Sequence, residues 1–224
     1  NGSEVTPYYD AMLGKLIVHA DTREQAINQL IHALGQLKVL GLPTNRAFLM
    51  ECLNDSVFRQ GKALISYLAG DAPRLQQQLR QREAQAHQQW SALCAVGQMP
   101  GPLACSYPQL RKLRHRGETQ ELQLQPQTAH SWSLQAKDDE PVLLQIDELL
   151  PHGWKARRGG LTQTVNAVAL DAEDGSLRWH LQAGAVDWWA QDMSYQPPAN
   201  VGGAAQSAEL RAPLKGRVVL LNAA

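Results

Sequence analysis

A chain of 224 residues exceeds the usual size of one domain and can bury one large core or two modest ones, of which two is the better reading. Lysine plus arginine equals aspartate plus glutamate at 21 each, so no net field steers the protein toward nucleic acid or an anionic membrane, and neither is expected as a partner. The three cysteines, Cys52, Cys94 and Cys105, are odd in number and lack CxxC spacing, which points to reduced thiols and a cytoplasmic-type compartment; no run approaches the roughly 18 apolar residues that span a bilayer.

Residues Met12 to His19, rich in Leu, Ile and Val, read as a buried strand, and Ala20-Asp21 breaks it. Asp21 and Glu24 have capping-box spacing, and Ala26, Ile27, Leu30, Ile31, Leu34 and Leu37 then recur with a helical period. Gly41, placed where the chain needs positive φ, ends this helix, and Pro43 prevents its resumption. Thr44 is placed to cap a second helix with Phe48, Leu49 and Leu53 on one side. Strand, helix, helix and a short tail make too little for a whole domain, so residues 1 to 72 read as the end of a larger one. The start at Asn1-Gly2-Ser3-Glu4 and the stop after Val218-Val219-Leu220-Leu221 both read as cuts.

After a break at Gly70-Asp71-Ala72-Pro73, a helix is expected from Arg74 to Gly97, polar early and apolar late, with Trp90, Leu93, Cys94 and Val96 in its last turns. Such a gradient suits a rod that starts in solvent and ends inside a core. Gly97 to Pro108, with three prolines and two glycines after the helix, must be an irregular loop. Beyond Leu110 the period changes to two: Leu122/Leu124, Trp132/Leu134/Ala136, Val142/Leu144/Ile146, Val165/Ala167/Ala169, Leu177/Trp179/Leu181 and Val186/Trp188 alternate with polar neighbours. Turn signals at Gly117, Lys137-Asp138-Asp139, Pro151-His152-Gly153, Gly159-Gly160, Asp174-Gly175 and Gly184 set the rhythm of an antiparallel meander of seven or eight strands. The fold class is therefore α+β, with an antiparallel barrel around a long central helix over residues 73–195. Residues 196–209, rich in Pro, Gly, Ala and Ser, read as a flexible linker.

The chemistry in the sequence is sparse. Seven histidines fall in seven different elements without HxH or HExxH spacing, so no metal site is expected. Gly159-Gly160 after Arg157-Arg158 reads as a hairpin turn, since no helix follows to make a phosphate loop. The basic cluster Arg111 to Arg116 is read either as a phosphate contact or as a solvated strand edge protected by charge. Trp132, Trp179 and Trp188 are expected to fill the barrel core, and no catalytic residue is assigned.

The segment Val5-Thr6-Pro7-Tyr8-Tyr9-Asp10-Ala11-Met12-Leu13-Gly14-Lys15-Leu16-Ile17, followed by the capped helix, by Gly41-Leu42-Pro43-Thr44-Asn45 and by Phe58 with Gly61, resembles the end of a biotin carboxylase domain over residues 1 to about 70. Arg211-Ala212-Pro213-Leu214-Lys215-Gly216-Arg217-Val218-Val219 is similar to the first strand of a biotin carboxyl carrier domain, with Leu214 in place of the common methionine. A helix and barrel between these flanks resembles the middle, BT domain of propionyl-, methylcrotonyl- and geranyl-CoA carboxylase α subunits.

The resemblance implies a fragment without its own reactive centre. The ATP-grasp residues would precede it and the biotinyl lysine would follow residue 224, so biotin, ATP and Mg or Mn belong to the parent enzyme and no cofactor to this piece. It implies a hetero-oligomer in which this chain meets the carboxyltransferase β subunit and the rest of the biotin carboxylase and carrier domains, in the cytoplasm or a mitochondrial matrix. Interface candidates by this resemblance are Asp10, Gln98, Met99, Pro100, Gly101, Pro102, Leu103, Tyr107 and Pro108, the loop residues occupying the place of a hook. A free-standing barrel with a small apolar ligand in its mouth, or a fragment of a urea-directed carboxylase, are the alternatives. A barrel filled by Trp90 and Leu93 excludes the first of these.

Overall fold

The computed structural model describes residues 5, 8, 10, 12–96, 107–137, 139–171 and 176–194. Among these described residues five helices come first: α1 (Arg23–Gln36), α2 (Arg46–Asn54), α3 (Ser56–Arg59), α4 (Tyr67–Trp90) and α5 (Ala92–Val96). Eight strands follow: β1 (Gln109–His115), β2 (Glu118–Thr128), β3 (Ser131–Gln135), β4 (Val142–Leu150), β5 (Gly153–Arg158), β6 (Leu161–Asp171), β7 (Leu177–Ala183) and β8 (Val186–Asp192). Each strand pairs antiparallel with the next, and β8 returns to β1 through Leu113↔Asp192 and Arg114↔Gln191, so the sheet closes into a barrel.

The α+β class and the eight-stranded barrel thus match the periodicity. Leu122, Leu124, Trp132, Leu134, Leu144, Val165, Leu181 and Trp188 all point inward and are buried, as alternation requires. The expected half-buried Ala169 is instead exposed, past the point where β6 covers the core. Trp154 and Ala156 of β5 and Leu113 of β1 complete the wall.

The end of the helical rod lies inside this barrel. Trp90 and all of α5 are buried in one cluster with the inward side chains of the strands, Leu93 and Cys94 at 0% exposure. An eight-stranded barrel has an interior just wide enough for side chains. Ala92, Cys94 and Ala95 keep the rod thin, and Ala156, Ala167 and Ala190 keep the wall thin opposite it. Burial of each large apolar side chain here contributes about 1.5–3 kcal/mol.

Several local expectations give way. Residues 12–20 form no strand: Met12, Leu13, Leu16 and Ile17 are exposed. A continuous apolar run marks a strand only where neighbouring strands and layers cover it, and no described segment pairs with this one. Helix α1 is capped by Thr22, whose Oγ1 accepts from the Gln25 amide at 3.2 Å, one residue beyond the Asp21/Glu24 box. Gly41 has φ of 94° as expected, but α1 has already ended at Gln36. Asn45 occupies the α2 N-cap without a side-chain bond, while Thr44 Oγ1 accepts from the Arg46 amide at 3.3 Å.

Pro73 does not break the rod. Helix α4 begins at Tyr67 and runs through it, and Pro73 and the unmatched Ala69 carbonyl both lie on the solvent side. Nor is β1 an edge, because barrel closure pairs it on both sides; Arg111 and His115 are buried inward and the charges of Lys112 and Arg114 face out. Gly159-Gly160 is the expected hairpin turn, with φ of 55° and 82° between β5 and β6.

Candidate functional site

The chemistry that distinguishes this molecule is a polar seam joining the helical unit to the barrel. Arg46, at the start of α2, is 2% exposed. Its Nε and Nη2 donate to Asp187 Oδ2 and Oδ1 of β8 at 3.1 and 2.9 Å. Nη1 reaches the Leu34 carbonyl at the end of α1 at 2.7 Å, and Nη2 the Gly184 carbonyl in the β7–β8 turn at 3.0 Å. One guanidinium fork thereby ties two helices to two strands, a geometry its planar donors suit better than an ammonium. Burial of Asp187 outweighs the attraction of Arg46, so its carboxyl sits above the ordinary range.

Two further bonds secure the α1–α2 connection to β7. The Gly41 amide donates to His180 Nδ1 at 3.0 Å, and Gln182 Nε2 donates to the Leu37 carbonyl at 2.8 Å. His180 stacks on Trp189 with centroids 4.3 Å apart and planes 4° apart. Its Nδ1 accepts only when unprotonated, and burial, followed by the nearby Arg178 and Arg46, holds its pKa down to about 4.

Where α4 passes into the barrel, Glu83, His87 and Ser91 lie at i, i+4 and i+8 on one buried face. Glu83 accepts from Arg116 Nε at 2.6 Å and lies 3.8 Å from His115 Nε2. His87 stacks on His115 with centroids 5.1 Å apart, and its Nδ1 is 2.7 Å from Ser91 Oγ, which also accepts from the Trp188 indole at 2.9 Å. Burial, then the charge of His115, holds the His87 pKa down to about 4. Arg116 has φ of 48° in the β1–β2 turn, and its ion pair with Glu83 holds this strained position. On the other side of the mouth Arg158 Nη1 donates to the Gln88 and Gln89 carbonyls, both at 2.6 Å, satisfying the last turn of α4.

Farther out, Arg82 and Arg74 tie α4 to Glu51 and Asp55 of the helical unit, at 2.6 and 2.7 Å. These bonds fix position, and the hydroxyl that does meet an imidazole, Ser91 Oγ on His87 Nδ1, is 0% exposed and closed to any substrate. Among the described residues no three His, Cys, Asp or Glu side chains converge as metal ligands.

Of the interface residues expected from sequence, Asp10 is exposed and its Oδ1 accepts from the Met12 amide at 3.2 Å. Tyr107 and Pro108 are exposed just before β1. Gln98, Met99, Pro100, Gly101, Pro102 and Leu103 lie outside the described residues, as do residues 196–209, expected to be a linker, and the carrier-like stretch after them. Arg46, His180, Gln182 and Asp187 escaped sequence reasoning. Their contacts join residues about 140 positions apart and leave no local signal. The spacing of Glu83, His87 and Ser91 on one helix face was visible and would have found that cluster.

Residues 1–70 match the family model described as the biotin carboxylase C-terminal domain. This part of the chain is similar to the end of a biotin carboxylase. Within it, Phe58 of α3 and Gly61 close the turn that ends this helix, the Gly61 amide donating to the Phe58 carbonyl at 3.0 Å. Over 67 residues, 30% of the chain, it is 45% identical to a biotin carboxylase of Halalkalibacterium halodurans, covering 15% of that protein. Over the same length it is 37% identical to the mitochondrial propionyl-CoA carboxylase alpha chain of Caenorhabditis elegans, covering 9% of it. It is 39% identical to the 2-oxoglutarate carboxylase small subunit of Hydrogenobacter thermophilus, covering 14%. The chain therefore spans less than a sixth of each of these relatives, and its similarity to biotin-dependent carboxylases lies in its helical unit. No helix among the described residues is long and apolar enough to cross a membrane.

Proposed function

We propose that this chain is a non-catalytic segment of the biotin-carrying α subunit of an acyl-CoA carboxylase, and that its barrel is a BT domain coupling the biotin carboxylase side to a carboxyltransferase β subunit. The parent enzyme would use ATP and bicarbonate to carboxylate biotin and pass the carboxyl group to an acyl-CoA. One observation carries the reading: a single rod, α4 with α5, starts in the carboxylase-like unit and ends as the core of the barrel, so the two halves are built as one coupling piece. The filled interior also argues against a barrel that holds a small apolar ligand.

Exposed apolar side chains support further carboxylase contacts. Leu13, Leu16 and Ile17, and on the approach to α4 Leu64, Ile65 and Leu68, are left uncovered by the helical unit. An exposed apolar set of this kind marks a surface that another domain covers. The remainder of a biotin carboxylase domain is the partner proposed for it.

Docking to the β subunit is assigned to the loop from Gln98 to Pro108. Its three prolines restrict the backbone and so lower the entropy lost when such a segment is ordered against a partner. The test is capture of an acyl-CoA carboxyltransferase β subunit by the immobilised chain, repeated after the loop is replaced by Gly/Ser of equal length. Capture that disappears with the swap supports the assignment, and capture that survives it removes the loop from the interface.

A further inference from the structure

On the outer wall of the barrel, where β7, β8 and β1 meet the connection at Gly41 and Pro43, lies a groove of about 810 Å³. Arg114, Arg116 and Arg178 line it beside Trp189 and Leu170. The register places two of these arginines symmetrically: Arg178 of β7 and Arg114 of β1 are both opposite Gln191 of β8. Their Cα atoms are thus separated by two strand spacings, about 10 Å, on one face of the sheet. Charges this far apart on an exposed face repel one another little, and an anionic group seated over Gln191 is within reach of both guanidinium groups.

Among the described residues, little of this charge is neutralised. Arg178 stacks over the Trp189 ring, 4.3 Å from its centroid, and among the described residues no carboxylate is paired with it. Arg114 Nη2 donates to the amide oxygen of Gln191, a neutral partner. Arg116 uses Nε for Glu83, and among the described residues the only acid lining the groove is Asp171, exposed at the end of β6. On the same outer face, stacked on Trp189 and under Gly41, His180 is held neutral by burial and by the positive field of Arg178 and Arg46.

We propose that this groove binds a phosphate-bearing small molecule, with the Arg114 and Arg178 guanidinium groups taking phosphate oxygens from either side and Trp189, Leu170 and Pro43 contacting its organic part. Planar arginine forks match phosphate oxygens in paired hydrogen bonds, and the volume is that of a small-ligand cleft. The assignment goes beyond the coupling role and stands or falls independently of it.

The test titrates the 224-residue chain with ADP and with inorganic pyrophosphate. The Trp189 indole N–H resonance, assigned by Trp189→Phe, is followed by NMR. Saturable shifts with both ligands are expected, with ADP at least as tight as pyrophosphate, and Arg178→Gln and Arg114→Gln each weakening binding by about tenfold. Should either variant unfold, the wild-type chain decides: its response weakens steeply as salt rises, and a salt-independent shift contradicts the site. The proposal is overturned by the absence of any saturable shift, by binding that survives both substitutions, or by a response to a poly-glutamate peptide with none to ADP. The last outcome would give the groove to an acidic protein partner.

Discussion

Arg46 holds both carboxylate oxygens of Asp187, at 3.1 and 2.9 Å, across the boundary between a helical unit and a barrel. The pair is nearly dry, with side-chain exposures of 2% and 14%. Desolvating such a pair costs as much as its attraction returns, so its contribution is to fix placement more than to add stability. Arg46→Met leaves a buried carboxylate and the Leu34 and Gly184 carbonyls without their donor, and should cost about 3–5 kcal/mol in urea unfolding. The double variant Arg46→Met/Asp187→Leu should recover much of that loss. A single variant with near wild-type stability would show that the seam is not closed in solution.

Acid should loosen two contacts, that of His180 in this seam and that of His87 at the barrel mouth. His180 and His87 each have an ordinary pKa of 6.5 and are held at about 4 in the folded chain. Above pH 6.5 both states are neutral and the full stability is present. As pH falls from there toward about 4 the unfolded chain takes up protons that the folded chain refuses, so stability declines, by up to about 1.4 kcal/mol per pH unit for each histidine. Urea midpoints followed from neutral pH to about pH 5 should fall, and His180→Gln should flatten the slope by about half. A midpoint that does not change over this window would contradict the buried, neutral placement of both rings.

Gly153 opens β5 with φ of 140°, opposite Asn166. A Cβ there would stand 2.0 Å from the Val165 carbonyl oxygen and 2.7 Å from Asn166 Cα, both backbone atoms that no rotamer change can move. Gly153→Ala should therefore cost about 4 kcal/mol or more. Gly117, with φ of 89° but nothing within 4 Å of a Cβ, provides the comparison: Gly117→Ala should cost only about 1 kcal/mol of backbone strain. Equal effects in thermal unfolding would mean that the β5–β6 approach is looser than described.

What the sequence made legible follows from where each signal lives. Alternation is local, so β2, β3, β4, β6, β7 and β8 and their inward residues could be read directly. Strand β1 was obscured because two of its inward positions are Arg111 and His115, and polar residues inside a barrel read as surface. Strand β5 carries only Trp154 and Ala156 inward, too short a pattern to stand out. The apolar run at 12–19 misled for the opposite reason: hydrophobicity reports a need for cover, not that this chain supplies it. Pro73 was weighed as a breaker although the rest of Tyr67–Trp90 favours helix. The seam around Arg46 was invisible because it depends on barrel closure, a property of all eight strands together.

The central claim is that the end of the rod is sealed inside the barrel, and Cys94 reports on it most directly. Its thiol is free and 0% exposed, and burial raises its pKa well above the usual range, so it is poorly reactive for want of both access and thiolate. In a Cys52→Ala/Cys105→Ala background, labelling of Cys94 by a thiol reagent should proceed no faster than global unfolding. Labelling within the mixing time under native conditions, with the strands still folded by circular dichroism, would place α5 outside the barrel and contradict the account.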